Sequence, residues 1–176
     1  MVEYFDLIVL GGGPTGLAAA VYGGRAKLKT LVLEKGNAGG RAYTTREIVN
    51  YPGIPASSGP VLAEQMAEHA KKFGAEIRRE QVKRVELTGD TKKVFTRRHE
   101  YEAKAVIIAT GTTARVLGIP GEKELTGMGV AYCATCDAEF FQDQTVVVVG
   151  SGDQGIEEGM YITKFARKVI VVELHE

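Results

Sequence analysis

The N-terminal part of the chain contains the segment DLIVLGGGPTG at residues 6–16, in which a short apolar run passes directly into a glycine turn. The alanine-rich residues 17–26 follow and are typical of a helix. Another apolar run at residues 30–33 then ends in Glu34. The order of strand, glycine turn, helix, strand and acid predicts a βαβ unit.

This order is the fingerprint of a Rossmann-like dinucleotide site. Gly11 would make the tight turn, Gly13 would let the backbone approach a pyrophosphate, and Gly16 would let the helix pack against the strand. The N-terminus of the helix supplies unpaired N–H groups and a positive dipole for phosphate. Glu34 can accept hydrogen bonds from ribose hydroxyls. The segment is therefore predicted to bind a nucleotide, the alternative being a glycine turn without a ligand.

A second copy of the same order lies near the other end of the sequence, where TVVVVGSGDQG at residues 145–155 precedes a helical stretch and an apolar run. Glu34 follows Gly11 by 23 positions, and Glu173 follows Gly150 by the same 23. This internal repeat predicts one dinucleotide site and the beginning of another. Because a βαβ piece cannot bury both faces of its sheet alone, we expect the second domain to be incomplete in this sequence. The candidate nucleotide ligands of the second copy are Gly150, Gly152, Asp153, Gly155 and Glu173.

The segment YCATCD at residues 132–137 holds the only two cysteines of the chain, Cys133 and Cys136. In an intracellular protein, a C-x-x-C pair near a βαβ pattern is typical of a redox dithiol. A zinc half-site is the alternative, and it would need a second pair of Cys or His ligands. The histidines at positions 69, 99 and 175 do not have that spacing. We therefore predict a redox-active dithiol and no metal site.

A continuous apolar run, AVIIA at residues 105–109, precedes a further turn at Thr110 and Gly111. Apolar runs without alternation are typical of central parallel strands. The run therefore predicts a strand that is buried on both faces. Residues 76–104 show a period of two with a turn at Gly89-Asp90, which indicates returning strands.

The composition argues against several classes of partner. The chain has 22 basic and 22 acidic residues, and this balance does not favour nucleic-acid binding. Its first residues lack the basic and apolar regions of a signal peptide, and no apolar run approaches the roughly 20 residues that span a bilayer. We expect a cytoplasmic protein that binds neither nucleic acid nor membrane.

The combination of motifs resembles the low-molecular-weight thioredoxin reductases, which are small dimeric flavoprotein disulfide reductases. The resemblance covers the whole chain but only the N-terminal portion of such an enzyme. It implies an α/β fold, in which an FAD-binding Rossmann-like parallel sheet with a β-meander crossover is followed by the start of a second Rossmann-like domain. The first domain would span residues 1–113 and lack its C-terminal closing segment, and residues 114–176 would hold a linker, the dithiol and the first βαβ of a pyridine-nucleotide-type domain. The segments that carry the resemblance are GGGPTGLAAA (11–20), NYPG (50–53), ATG (109–111), CATCD (133–137), GSGD (150–153) and EE (157–158).

The resemblance also implies a set of FAD-binding residues. A glutamine usually stands in the family where this chain has Arg41, so the chain departs from the pattern there. The positions that match the family's FAD contacts are Gly11, Gly13, Pro14, Thr15, Gly16, Glu34, Lys35, Gly40, Arg41, Asn50, Val82, Ala109, Thr110 and Gly111.

The activity implied by the resemblance is thioredoxin-disulfide reduction by a homodimer. Two electrons would pass from reduced FAD to the Cys133–Cys136 disulfide. Cys136 would be the thiol next to the flavin, and Cys133 would attack the disulfide of thioredoxin or a similar protein. Asp137 would donate a proton to the leaving thiol.

The second glycine copy departs from the family in a way that concerns the electron donor. NADPH-using members follow the second strand with a His-Arg-Arg run that binds the 2′-phosphate, whereas this chain has Glu173-Leu174-His175. An acid at this position repels a phosphate and suits a 2′-hydroxyl. Gly155 and Ala138 also replace a usual Ala and a usual Gly. NADPH is therefore disfavoured, which leaves NADH, a non-pyridine donor such as reduced ferredoxin, or a site without a ligand.

Two other functions remain open from the sequence. One is an NADH-dependent flavoprotein that reduces peroxiredoxin or peroxide on the same scaffold. The other is a non-catalytic nucleotide-binding fragment of such an enzyme.

Overall fold

The structure, a computed structural model, describes residues 2–173 and contains two compact units that divide between Thr113 and Ala114. The elements of the first unit are β1 (Val2–Leu10), α1 (Pro14–Arg25), β2 (Thr30–Glu34), a 3-10 helix (Gly40–Thr44), α2 (Gly59–Lys72), β3 (Glu76–Arg79), β4 (Arg84–Glu86), β5 (Lys92–Phe95) and β6 (Glu100–Ile108). The elements of the second unit are α3 (Ala134–Asp137), a 3-10 helix (Ala138–Phe141), β7 (Thr145–Val149), α4 (Asp153–Ile162) and β8 (Lys168–Val172).

The first unit is built on a six-stranded sheet with the strand order β3-β2-β1-β6-β5-β4. Strands β3, β2, β1 and β6 are parallel, and the register pairs Leu7 with Thr30 and Leu10 with Ile108. Strands β4, β5 and β6 form an antiparallel meander that returns the chain to the position beside β1. The predicted Rossmann-like parallel sheet with a β-meander crossover is confirmed.

The core of the first unit lies on both faces of β1, because successive side chains of a strand point to opposite faces. One cluster joins β1 and β2 to the meander: Phe5, Ile8, Leu10, Leu31, Leu33, Val94, Tyr101 and Ala103. The other joins β1 and β2 to the helices: Leu7, Val9, Ala20, Val32, Ala70 and Ala75. Because β1 is packed on both faces, its carboxyl end at Leu10 has a fixed position, and the glycine turn begins directly after it.

The carboxyl end of β6 differs from the sequence prediction. The strand is central in the hydrogen-bonding order, as predicted, but Ile107 is 38% exposed and Ile108 is 62% exposed. The expectation of burial on both faces was wrong, because no helix or loop within residues 2–173 covers both sides of this end of the strand. A continuous apolar run therefore predicted the place of the strand in the sheet but not what covers it.

The second unit is a βαβ unit with one sheet face covered. Strands β7 and β8 are parallel, and α4 connects them. Val146 and Val148 pack against a cluster of Ala134, Ala138 and Ile162, whereas Val147 on the other face is 54% exposed. This arrangement confirms the predicted start of a second Rossmann-like domain. Within residues 2–173, no helix has the length and apolar character needed to cross a bilayer.

Two consecutive glycines of α1 lie where other backbone and side chains approach the helix closely. A Cβ added to Gly23 would lie 2.6 Å from the Thr30 hydroxyl oxygen and 2.9 Å from a methyl carbon of Leu7. A Cβ added to Gly24 would lie 2.5 Å from the carbonyl oxygen of Phe73. Each glycine weakens an isolated helix by about 1 kcal/mol relative to alanine, so close packing explains why the helix contains them.

We expect Gly24→Ala to lower the free energy of unfolding by about 1–2 kcal/mol, because the clash with the Phe73 backbone outweighs the gain in helix propensity. Urea unfolding followed by circular dichroism measures the change. Gly159→Ala in α4 is the matched control, since its added Cβ would make only ordinary contacts of 3.8–3.9 Å. The control should be neutral or stabilising, and an equal loss in both variants would contradict the packing argument.

Candidate functional site

The first glycine turn connects β1 to α1 through a backbone that only glycine can adopt. Gly11 has a φ of +104°, and its N–H donates to the carbonyl of Leu33 at 2.9 Å. A Cβ added to Gly16 would collide with the carbonyl oxygen of Gly11. The first turn of α1 therefore lies directly against the end of β1.

The N-terminus of α1 presents a free space suited to a phosphate. Gly13 is the N-cap and makes no side-chain capping hydrogen bond, and Pro14 occupies the first helical position. A Cβ added to Gly13 would meet only the Cα of Gly40, at 3.8 Å. Since the first N–H groups of a helix lack partners within the helix, those of Thr15 and Gly16 are suited to bind an anion. These residues fit the diphosphate of a dinucleotide such as FAD.

The acid at the end of β2 is held beside this turn. The Glu34 carboxylate accepts hydrogen bonds from the N–H of Gly12 at 2.7 Å and the N–H of Gly36 at 2.9 Å. A carboxylate has about four acceptor positions, so two further bonds can be made to ribose hydroxyls. Lys35 follows it and is exposed.

The segment of residues 39–41 lies on one side of the turn. The N–H of Gly39 donates to the carbonyl of Gly12 at 2.7 Å, which brings Gly40 next to Gly13. Arg41 lies one position further and contacts the Thr112 hydroxyl at 3.4 Å.

The segment after β6 lies on the other side of Gly11. A Cβ added to Gly11 would collide with the carbonyl of Ala109, and Thr110 lies next to it. Gly111 has a φ of +65° and continues the turn. The structure thus brings Gly40, Arg41 and residues 109–111 together around the turn.

Two of the residues carried over by resemblance lie apart from this group. Val82 packs against the core cluster on the meander face of the sheet. Asn50 is exposed in the loop that precedes α2, and no hydrogen bond described for residues 2–173 joins it to the turn.

A cavity of about 430 Å³ opens beside Glu34, between α2 and the ends of β2 and β3. This volume is within the range of small-molecule sites. Sequence reasoning missed its lining because the residues come from four elements and a loop, although the pairing of Glu34 with Arg79 across β2 and β3 follows from the sheet register. The cavity is lined by Glu34, Gly36, Asn37, Ala38, Tyr43, Pro60, Ala63, Glu64, Ala67, Ile77, Arg78 and Arg79.

The second glycine turn repeats the backbone of the first. Gly150 also has a φ of +104°, and its N–H donates to the carbonyl of Val172 at 2.8 Å. A Cβ added to Gly155 would collide with the Gly150 carbonyl oxygen. Gly152 is the N-cap of α4, with no atom within 4 Å of an added Cβ, and Asp153 begins the helix.

The acid of the second repeat also contacts its glycine turn. The N–H of Ser151 donates to the Glu173 carboxylate at 2.9 Å, and the Ser151 hydroxyl contacts the same oxygen. Glu173 therefore occupies the place that Glu34 has in the first repeat. Leu174 and His175, on which part of the donor prediction rests, lie outside the described residues.

The two cysteines are bonded to each other, with their Cα atoms 5.3 Å apart. Cys133 is half-buried at the start of α3, and Cys136 is exposed. The N–H groups of Cys136 and Asp137 donate to the carbonyl of Cys133 at 3.2 and 3.1 Å. Within residues 2–173, no group of three or more His, Cys, Asp or Glu side chains is arranged to bind a metal ion. The disulfide fits the predicted redox-active pair.

A buried acid holds the residue before Cys133. Glu122 is only 6% exposed and accepts hydrogen bonds from the Tyr132 hydroxyl at 2.7 Å and from the N–H groups of Leu117 and Gly118 at 2.9 and 2.7 Å. These bonds, that of Tyr132 above all, lower the pKa of Glu122, and the same contact raises the pKa of Tyr132. Sequence reasoning assigned Glu122 no role, because nothing local marks an acid in this loop as buried.

The comparisons with known proteins agree with this geometry. The profile described as "Pyridine nucleotide-disulphide oxidoreductase" matches residues 5–176. A thioredoxin reductase from Peptoclostridium acidaminophilum is 51% identical over 173 residues, which are 98% of this chain and 55% of that protein.

Two solved structures share the fold. The thioredoxin reductase from Streptococcus pyogenes MGAS5005 has a TM-score of 0.91 and 47% identity, over 96% of this chain and 55% of that chain. A ferredoxin-flavin thioredoxin reductase from Clostridium acetobutylicum has a TM-score of 0.59 and 29% identity, over 100% of this chain and 61% of that chain.

The match therefore covers nearly all of this chain, and the chain spans about half the length of the curated relatives it matches. The matched residues include both glycine turns and the disulfide. The chain belongs to the pyridine nucleotide-disulphide oxidoreductase family.

Proposed function

We propose that the chain is the N-terminal portion of a flavin-dependent thioredoxin-disulfide reductase, with an FAD-binding domain at residues 1–113 and the start of a nucleotide-binding domain at residues 114–176. The observation that carries the proposal is the disulfide-bonded C-x-x-C pair in a chain with two matching glycine turns. A disulfide stores two electrons, and a dinucleotide site can hold the group that supplies them.

The first glycine turn is assigned to FAD. Its support is the open N-terminus of α1 at Gly13, the fixed carboxylate of Glu34 and the neighbouring residues 109–111. When bound and reduced by the electron donor, FAD would supply two electrons to the disulfide. The remaining assigned FAD residues are Gly11, Pro14, Thr15, Gly16, Lys35, Gly40, Arg41, Asn50 and Val82.

The dithiol is assigned to disulfide exchange with a partner protein. Cleavage of the Cys133–Cys136 bond takes up two electrons and two protons and gives two thiols. The Cys133 thiolate then attacks the partner's disulfide and forms a mixed disulfide, which Cys136 resolves as the partner leaves as a dithiol. Asp137, adjacent to Cys136, donates the proton to the leaving thiol.

The second glycine turn is assigned to NADH, with Gly150, Gly152, Asp153, Gly155 and Glu173 as its ligands. The support is the carboxylate of Glu173, which lies against the turn and would repel a 2′-phosphate. The similarity to a ferredoxin-flavin thioredoxin reductase supports a second donor, reduced ferredoxin.

The partner assigned by the proposal is thioredoxin or a similar protein disulfide. The thioredoxin reductases among the relatives support this choice. A homodimer in the cytoplasm completes the proposal, and a reducing compartment is where an exchanging C-x-x-C pair is typical.

We expect Gly13→Asp to weaken FAD binding by about 100-fold, because the new carboxylate would occupy the phosphate position at the N-terminus of α1. Aspartate is a good N-cap, and Gly13 has an ordinary φ of −74°, so the variant should fold. Isothermal titration with FAD and NADH measures the effect.

Gly152→Asp is the matched control, since Gly152 is the N-cap of α4 with a φ of −67°. It should weaken NADH binding and leave FAD binding unchanged. Equal FAD affinity in both variants, or no FAD binding to the unmodified chain, would remove the assignment of the first turn.

We expect Cys133→Ser and Cys136→Ser to reduce electron transfer to thioredoxin by more than about 1,000-fold, since neither variant can form the disulfide. Asp137→Asn should cost about 100-fold by loss of the proton donor. The FAD-loaded chain is reduced anaerobically with dithionite, freed of excess reagent and mixed with oxidised thioredoxin, whose new thiols are counted by alkylation and mass spectrometry. Transfer to a peroxiredoxin but not to thioredoxin would favour a peroxide-reducing flavoprotein instead.

We expect NADPH to bind at least about tenfold more weakly than NADH, which corresponds to about 1.4 kcal/mol, because Glu173 can accept from a 2′-hydroxyl and repels a 2′-phosphate. Titration of nucleotide fluorescence gives both affinities, and Glu173→Gln should narrow the difference by removing the charge. Rapid flavin reduction by NADPH in a stopped-flow experiment would contradict this assignment. Binding of neither nucleotide would favour reduced ferredoxin as the donor.

A further inference from the structure

Besides Glu122, another acid contacts the dithiol segment, and it lies on α4, the helix that follows the second glycine turn. The carboxylate of Glu158, on α4, accepts a hydrogen bond from the N–H of Ala134 at 3.1 Å. This N–H belongs to the peptide bond that directly follows Cys133. Glu158 is half-buried, and its contact joins residues 24 positions apart.

The other oxygen of this carboxylate is also held. The side-chain amide of Gln154 donates to Glu158 at 2.9 Å, from one helical turn earlier. Gln154 belongs to the second glycine turn, GSGDQG at residues 150–155. One carboxylate thus bridges the nucleotide turn and the dithiol segment within the second unit.

We propose that Glu158 is a positioning residue that lowers the reduction potential of the Cys133–Cys136 pair. The inference rests on the proposed redox role of that pair. Reduction of the disulfide creates a thiol at Cys133 that must act as a thiolate to attack. A carboxylate held at the next peptide bond disfavours that negative charge and leaves the neutral disulfide unaffected.

The hydrogen bond from the N–H of Ala134 to Glu158 also lowers the reduction potential of the pair. While the N–H of Ala134 donates to Glu158, this N–H is not available to a thiolate on Cys133. The bond also holds the backbone in the conformation in which the disulfide is closed. Both effects favour the oxidised form, so the reduced form becomes the stronger electron donor.

The isosteric variant Glu158→Gln removes the charge and keeps a side chain of the same shape. We expect the equilibrium constant for reduction of the disulfide by dithiothreitol to rise about twofold at pH 7, and by a larger factor above pH 8, because only the thiolate form of reduced Cys133 is affected by the charge. The full chain is equilibrated in buffers of reduced and oxidised dithiothreitol, and the dithiol fraction is counted by alkylation and mass spectrometry. In this exchange, one protein disulfide and one reduced dithiothreitol give one protein dithiol and one oxidised dithiothreitol.

Glu157→Gln is the matched control, because Glu157 is the neighbouring acid on α4 and is exposed. The control should keep the equilibrium constant of the unmodified chain, and its circular dichroism and that of Glu158→Gln should be unchanged. Alkylation of the reduced chain by iodoacetamide should be several-fold faster only in Glu158→Gln. An unchanged or lower equilibrium constant in Glu158→Gln, or the same rise in both variants, would overturn the inference.

The readout needs neither an electron donor nor a protein substrate. Failure of the proposed reductase function would be seen in the assays with thioredoxin and would leave this equilibrium unchanged. The two proposals can therefore fail separately.

Discussion

Both units depend on one close backbone approach, in which the last glycine of the turn lies against the carbonyl of the first. A side chain at Gly16 or Gly155 would collide with the carbonyl of Gly11 or Gly150. Because of this approach, each helix begins directly at the end of its strand, and its unpaired N–H groups and positive dipole lie at the turn. The suitability of each turn for an anion therefore depends on glycine, which has no side chain to prevent the close approach.

The two turns share this backbone but differ in their surroundings. The first is enclosed by the Gly39–Gly40 segment on one side and by residues 109–111 on the other. At the second, no described atom lies within 4 Å of a Cβ added to Gly152. The two turns therefore share one backbone conformation but differ in the segments beside them, and the proposed assignment gives FAD to the first and NADH to the second.

The features that the sequence predicted are those set by local rules. The glycine turns, the helices that follow them and the acids at Glu34 and Glu173 depend on residues within about one βαβ unit, and a pattern can record them. The exposure of Ile108 could not be predicted, because a strand sequence does not state what covers it. The contact of Glu158 was missed because it depends on a segment 24 positions away, and those of Glu122 were missed because a loop sequence does not mark which of its acids is buried, even where its partners lie within ten residues.

The carboxylates near the dithiol all shift the balance between disulfide and thiolate the same way. Glu122 is held ionised next to Tyr132, the residue before Cys133, and Glu158 accepts from the peptide after it. Carboxylates on both sides of Cys133 disfavour its thiolate and favour the disulfide, so the reduced pair is a stronger reductant. A protein that passes electrons to thioredoxin, whose own potential is about −270 mV, needs a dithiol of comparably low potential. For the proposed reductase, these acids therefore suit electron donation to a partner disulfide better than oxidation of a partner dithiol.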